Sequence, residues 1–68
     1  MYKEIFHERV RKSRIDAGYT QAQVADVLKI ARSSISKYDT GHLEPNLERL
    51  AMLGSLFGVS VDYLLGIE

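Results

Sequence analysis

The sequence contains no cysteine, a single proline (Pro45), and no apolar run that approaches the ~18 residues needed to cross a bilayer. Without cysteine there is no disulfide to staple a small core and no thiolate to hold a metal. A zinc site would have to draw on the two histidines, His7 and His42, together with acids. No such set stands out, and neither a metal nor a cofactor is expected. A glycine-rich phosphate loop is missing. The opening Tyr2-Lys3-Glu4-Ile5-Phe6-His7-Glu8-Arg9 is charged throughout, unlike a secretory leader. The expected location is the cytoplasm, with no membrane partner.

An excess of basic charge is also missing, since nine Lys/Arg balance nine Asp/Glu. Taken alone this argues against nucleic acid, but the charges are unevenly spread. Residues 1–41 carry eight basic and five acidic side chains, a net of +3, and residues 42–68 carry one and four, a net of −3. A domain polarised in this way can turn its basic side to phosphate and its acidic side away. Ordinary solvated charge accounts for the same counts equally well.

What is present fits one globular domain over residues 1–68, with 46% apolar residues and a core of marginal size. The apolar spacing is helical, and the expected fold is all-α, a compact bundle of five helices. A first helix is predicted over Lys3–Ala17, with Phe6, Val10, Ser13 and Ala17 on one face, Arg14 also turned inward, and Ile15 left outside. Gly18 stops it. Thr20 is a natural N-cap, and Gln23 stands three residues later in the reciprocal position of a capping box. The second helix then ends near Leu28. A third is predicted over Arg32–Tyr38, with Ala31, Ile35 and Tyr38 inward and Ser33, Ser36, Lys37 and Thr40 outward. Ala31 caps weakly, which leaves Ser33 or Ser34 to supply part of the hydrogen bonding. Gly41 and Pro45 punctuate a loop. Asn46 caps a fourth helix, Leu47–Phe57, with Leu47, Leu50, Leu53, Gly54 and Phe57 inward. Gly58 ends it, Ser60 caps a short fifth helix with Asp62 in its first turn, and Val59, Val61, Leu64 and Leu65 are available to close the core.

The stretch Gln21–Tyr38 organises the rest: two short helices, with Val24, Ala25 and Leu28 on one face of the first and Ile35 and Tyr38 on one face of the second, joined by a tight turn. Gln21, Ala25 four residues on, Ile30, and Ile35 ten after the alanine form an ordered set. Arg14-x3-Gly18-x-Thr20-Gln21 precedes it, and Gly41, Pro45 and Gly58-Val59-Ser60-Val61-Asp62-Tyr63-Leu64-Leu65-Gly66 follow. In these residues the chain resembles the helix-turn-helix domains of the phage repressor and Cro family, over roughly residues 5–66. It departs from that pattern at Lys29, where the family usually has glycine, and at Gly54, where relatives mostly have alanine.

The resemblance implies a sequence-specific regulator of transcription, a repressor by expectation, that binds double-stranded DNA with its third helix in the major groove. Carried onto matching positions, Arg32, Ser33, Ser36 and Lys37 are the base-edge candidates, with Arg or Lys suited to guanine O6/N7. Gln21, at the start of the second helix, and Thr40, Gly41 and His42 are the phosphate candidates. Arg14 and Asp39 are expected to form a partly buried ion pair, stretched or water-bridged because relatives usually carry Glu at the second position. A homodimer on a palindromic operator would meet through Leu43, Glu44 and Asn46 and through Val59 and Ser60, with Leu56 adding an apolar contact. No small-molecule ligand is evident.

Other chemistries fit less well. The two histidines lack an orienting carboxylate beside them, Glu4 and Glu8 read as an ion-paired helix face, and the serine run at Ser33-Ser34-x-Ser36 has no neighbouring base. The four tyrosines are not spaced as a stacking platform, and Tyr38 and Tyr63 are expected at the rim of the core with the hydroxyl in water. An enzyme is not expected. The competing reading is a protein-interaction module that has lost or subordinated DNA reading, which neutral charge and a short, serine-rich outer face favour.

Overall fold

The computed structural model describes residues 2–67, so the first and last residues of the expected domain lie outside it. Its elements are α1 (Tyr2–Asp16), α2 (Gln21–Leu28), α3 (Arg32–Thr40), α4 (Leu47–Phe57) and α5 (Val61–Leu65), and there is no strand among the described residues. Each boundary has a local cause. Thr20 Oγ1 accepts the Gln23 N–H while the Gln23 side chain accepts the Thr20 N–H, a complete capping box at the start of α2. Asn46 and Ser60 start α4 and α5 in the same way, accepting from Arg49 and Tyr63. Only α3, among the capped helices, begins without a side-chain cap: Ala31 is extended (φ −67°, ψ 144°), and neither Ser33 nor Ser34 takes over that bond.

The core is formed by Phe6, Val10, Val24, Ala25, Leu28, Ile35, Tyr38, Leu50, Leu53, Phe57 and Leu64. In it α1 lies against α3 and α5, α2 lies against α3, and α4 touches α1 and α5. Three inward assignments fail. Ala17 and Ala31 are exposed, and Leu47 is 85% exposed. All three sit at helix boundaries, the first two just outside α1 and α3 and the last at the first position of α4. Tyr38 errs the other way, at 1% exposure a full member of the core and not of its rim. Gly54, a departure from the family pattern, has a packing cause: a Cβ there would stand 2.9 Å from the Val59 carbonyl oxygen. The α4–α5 connection therefore crosses the helix at a distance only glycine permits.

The turn between α2 and α3 takes a conformation that glycine adopts readily, although Lys29 stands there. That residue takes the left-handed conformation (φ 58°, ψ 44°) and is the one non-glycine at positive φ among the described residues. The Ile30 N–H reaches back to the Ala25 carbonyl (3.1 Å) and Ile30 packs on the core, so hydrogen bonding and an apolar contact together hold the strained lysine in place.

Candidate nucleic-acid interface

The third helix has two faces set by burial. Ile35 and Tyr38 are each 1% exposed, which fixes the rotation of α3 about its axis. The outward positions then hold Arg32, Ser33 and Lys37, all exposed, with Ser36 half-buried on the flank. The side chains of these four make no hydrogen bond to another described residue. They form a short polar strip whose donors and acceptors are uncommitted, two cations on it and no acid.

Behind that strip lies a buried polar junction. Asp39 Oδ2 accepts from Arg14 Nε (3.2 Å), Arg14 Nη2 (3.0 Å) and Gln21 Nε2 (3.1 Å). Arg14 Nη1 also donates to the Tyr19 carbonyl at 2.8 Å. The Arg14 and Asp39 side chains are 13% and 3% exposed. The contact is direct, neither stretched nor water-bridged, so the shorter acid reaches its partner after all. Asp39 Oδ1 is buried without a partner among the described residues. This junction joins α1, the start of α2 and the end of α3. It also commits one hydrogen of the Gln21 amide inward, a role that the sequence reading missed. At the start of α2, the N–H groups of Gln21 and Ala22 have no intrahelical acceptor.

The loop after α3 is folded back on its own helix. The Gly41 and His42 N–H groups both donate to the Lys37 carbonyl. Thr40 Oγ1 lies against the Ser36 carbonyl and His42 Nδ1. The backbone N–H groups of Gly41 and His42 are therefore committed to the end of α3 and do not face outward. Gly41 itself is required twice over. Its φ is +83°, and a Cβ would stand 2.7 Å from His7 Cδ2, so a side chain there would press on the α1 imidazole. No spacing in the sequence pairs His7 with residue 41, and no motif signals it.

The residues expected to meet a second copy are distributed over two loops and, for Leu56, the last turn of α4. Leu43 and Glu44 are exposed beside Gly41 and His42 around one shallow hollow. Asn46 and Ser60 are exposed, but their side-chain oxygens cap α4 and α5. Val59 and Leu56 are half-buried against the core. No group of His, Asp or Glu among the described residues is placed to hold a metal, and no helix among them is long and apolar enough to cross a membrane.

Residues 10–64 match the family model described as Helix-turn-helix. The chain is 44% identical over 61 residues to the SPbeta prophage-derived uncharacterized HTH-type transcriptional regulator YonR of Bacillus subtilis, which covers 90% of this chain and 56% of that protein. It is 36% identical to the cryptic phage CTXphi transcriptional repressor RstR of Vibrio cholerae (87% of this chain, 53% of that one). It is also 36% identical to the HTH-type transcriptional activator BcrR of Enterococcus faecalis (93% and 31%). The chain thus spans about half the length of the first two relatives and a third of the other.

Proposed function

The chain belongs to the helix-turn-helix family of the phage repressor and Cro type, and from that premise we propose that it is a cytoplasmic regulator of transcription that binds specific sites on double-stranded DNA. The observation that carries the reading is the outward strip of α3. Arg32, Ser33, Ser36 and Lys37 keep their side-chain donors uncommitted, on a helix held rigidly by Ile35, Tyr38 and the Arg14–Asp39 junction. A helix of this diameter fits the major groove, where Arg and Lys suit guanine O6/N7 and serine can serve a donor or an acceptor. Gln21, with the first-turn N–H groups of α2, and the side chains of the loop after α3 would hold the phosphates on either side. Gly41 shapes that loop. Repression is the favoured sign of regulation, as in the named phage repressor among the relatives.

The test is titration of a fluorescein-labelled duplex at two salt concentrations. The proposal expects affinity to fall steeply with salt, in proportion to the phosphates contacted. A selected sequence should also outcompete a scrambled one. If no duplex binds at low salt, the DNA reading fails and the protein-interaction module takes its place.

A further inference from the structure

Thr40 and His42 meet at the C-terminal end of α3. Thr40 Oγ1 lies 3.0 Å from the Ser36 carbonyl, 3.4 Å from the Lys37 carbonyl and 2.8 Å from His42 Nδ1. A threonine hydroxyl has one hydrogen and two lone pairs, and a carbonyl can only accept. The Thr40 hydrogen therefore goes to the preceding turn, as helical threonines commonly arrange it. The 2.8 Å contact with Nδ1 is then satisfied when Nδ1 carries a hydrogen and donates it to Oγ1. A neutral imidazole of that tautomer presents a bare lone pair at Nε2. A phosphate oxygen also only accepts, so the two repel. The imidazolium keeps the Nδ1–H bond to Thr40 and adds an Nε2–H donor and a positive charge.

We propose that His42 engages a DNA phosphate as an imidazolium oriented by Thr40, so that DNA binding takes up a proton at this residue of each chain. The proposal rests on the DNA-binding reading above and specifies the chemistry of its phosphate contact. Thr40 becomes a positioning residue, its hydroxyl committed between the helix and the imidazole. The charged and titratable groups around His42 come from three directions. Lys37 lies one turn back, its carbonyl accepting the His42 N–H at 2.9 Å. Glu44 shares the surface hollow with Gly41 and His42. His7 reaches over from α1 onto Gly41. Asp39, three residues before His42, is turned inward and bound to Arg14. His7 is the other imidazole beside this loop, so it needs its own control.

The experiment measures affinity for a fluorescein-labelled mixed-sequence duplex at fixed salt from about pH 5.5 to about pH 8, the span in which imidazoles change charge. Affinity per chain should fall with rising pH, with a slope approaching tenfold per pH unit on the alkaline side. His42→Gln should flatten the profile, Thr40→Val should reduce its slope, and His7→Gln should retain it. A pH profile unchanged by His42→Gln, or one abolished only by His7→Gln, overturns the proposal and leaves the DNA reading standing. Absence of binding at every pH overturns the DNA reading itself. A second readout needs no DNA: long-range proton–nitrogen NMR of the free protein above neutral pH should find the His42 ring hydrogen on Nδ1, and on Nε2 in Thr40→Val. An Nε2–H tautomer in the unmodified chain overturns the proposal.

Discussion

Lys29 carries a conformation its side chain opposes. A left-handed residue with a Cβ costs about 1–2 kcal/mol, and glycine would remove that cost while losing about 0.4–1 kcal/mol to a more flexible unfolded chain. Lys29→Gly should therefore stabilise the fold by about 0.5–1 kcal/mol and raise Tm by roughly 2–8 °C. Lys29→Ala serves as the control, because it keeps the Cβ; equal shifts for the two would mean that strain at residue 29 is not the cause. The Arg14–Asp39 junction predicts a larger effect. Removing Asp39 strands a guanidinium that is 13% exposed, and breaking a buried pair from one side typically costs about 3–5 kcal/mol. Arg14 keeps its bond to the Tyr19 carbonyl, so the expected loss for Asp39→Ala is about 2–4 kcal/mol in chemical denaturation, against less than about 0.5 for the exposed Glu48→Ala. Similar midpoints for the two variants would contradict the junction. At this scale the sequence was legible where one helical face had to absorb a charge, as at Arg14. It was silent on Arg9, whose guanidinium sits 4.4 Å from the Tyr63 ring centre and donates to the Tyr63 carbonyl from 54 positions away. Nothing local encodes a contact between chain ends.

Among the helices whose caps are described, α3 has the weakest start, and the proposed function assigns it the reading of DNA. Its N-cap is Ala31, with no side-chain bond to the first turn. Ala31→Ser should add about 1 kcal/mol to stability, read as a rise in Tm; no change would mean that water or the chain itself already satisfies those N–H groups. The same helix carries the sequence-reading prediction. Lys37→Ala should weaken specific binding by roughly 1–3 kcal/mol and relax preference at one base position. If binding to a selected duplex and to a random one falls by the same factor, Lys37 holds a phosphate and reads no base. Caps made the elements legible: Thr20 with Gln23, Asn46 and Ser60 all start helices as their chemistry requires. Helical periodicity was misleading at the ends. Ala17 and Ala31 lie just outside their helices and Leu47 is the first residue of its own, and all three are exposed; a sequence pattern does not say where the packed stretch of a helix stops.

For the whole molecule, the account expects two copies on one operator. A single module of this size buries a small interface with DNA and reads few bases, which is thin discrimination against a genome of competing sites. Two copies on an inverted repeat double the readout, with recognition helices about 34–36 Å apart. Leu43 and Glu44 are exposed beside the loop that would face phosphate, and a second copy would be expected to meet them. Val59 and Leu56 have the smaller part of their surface to offer, because they pack against the core. Sedimentation with and without a palindromic duplex should find two chains per duplex; one chain at saturation, with equal affinity for a half-site, would remove the dimer from the account. The most direct test of the central claim, that the outer face of α3 reads DNA sequence, is selection of duplexes from a random library by this chain and by its Lys37→Ala variant. The account predicts an enriched inverted repeat with half-site centres about ten base pairs apart, and loss of preference at one position of each half-site in the variant. An unenriched pool, or a motif that the substitution leaves unchanged, would contradict it.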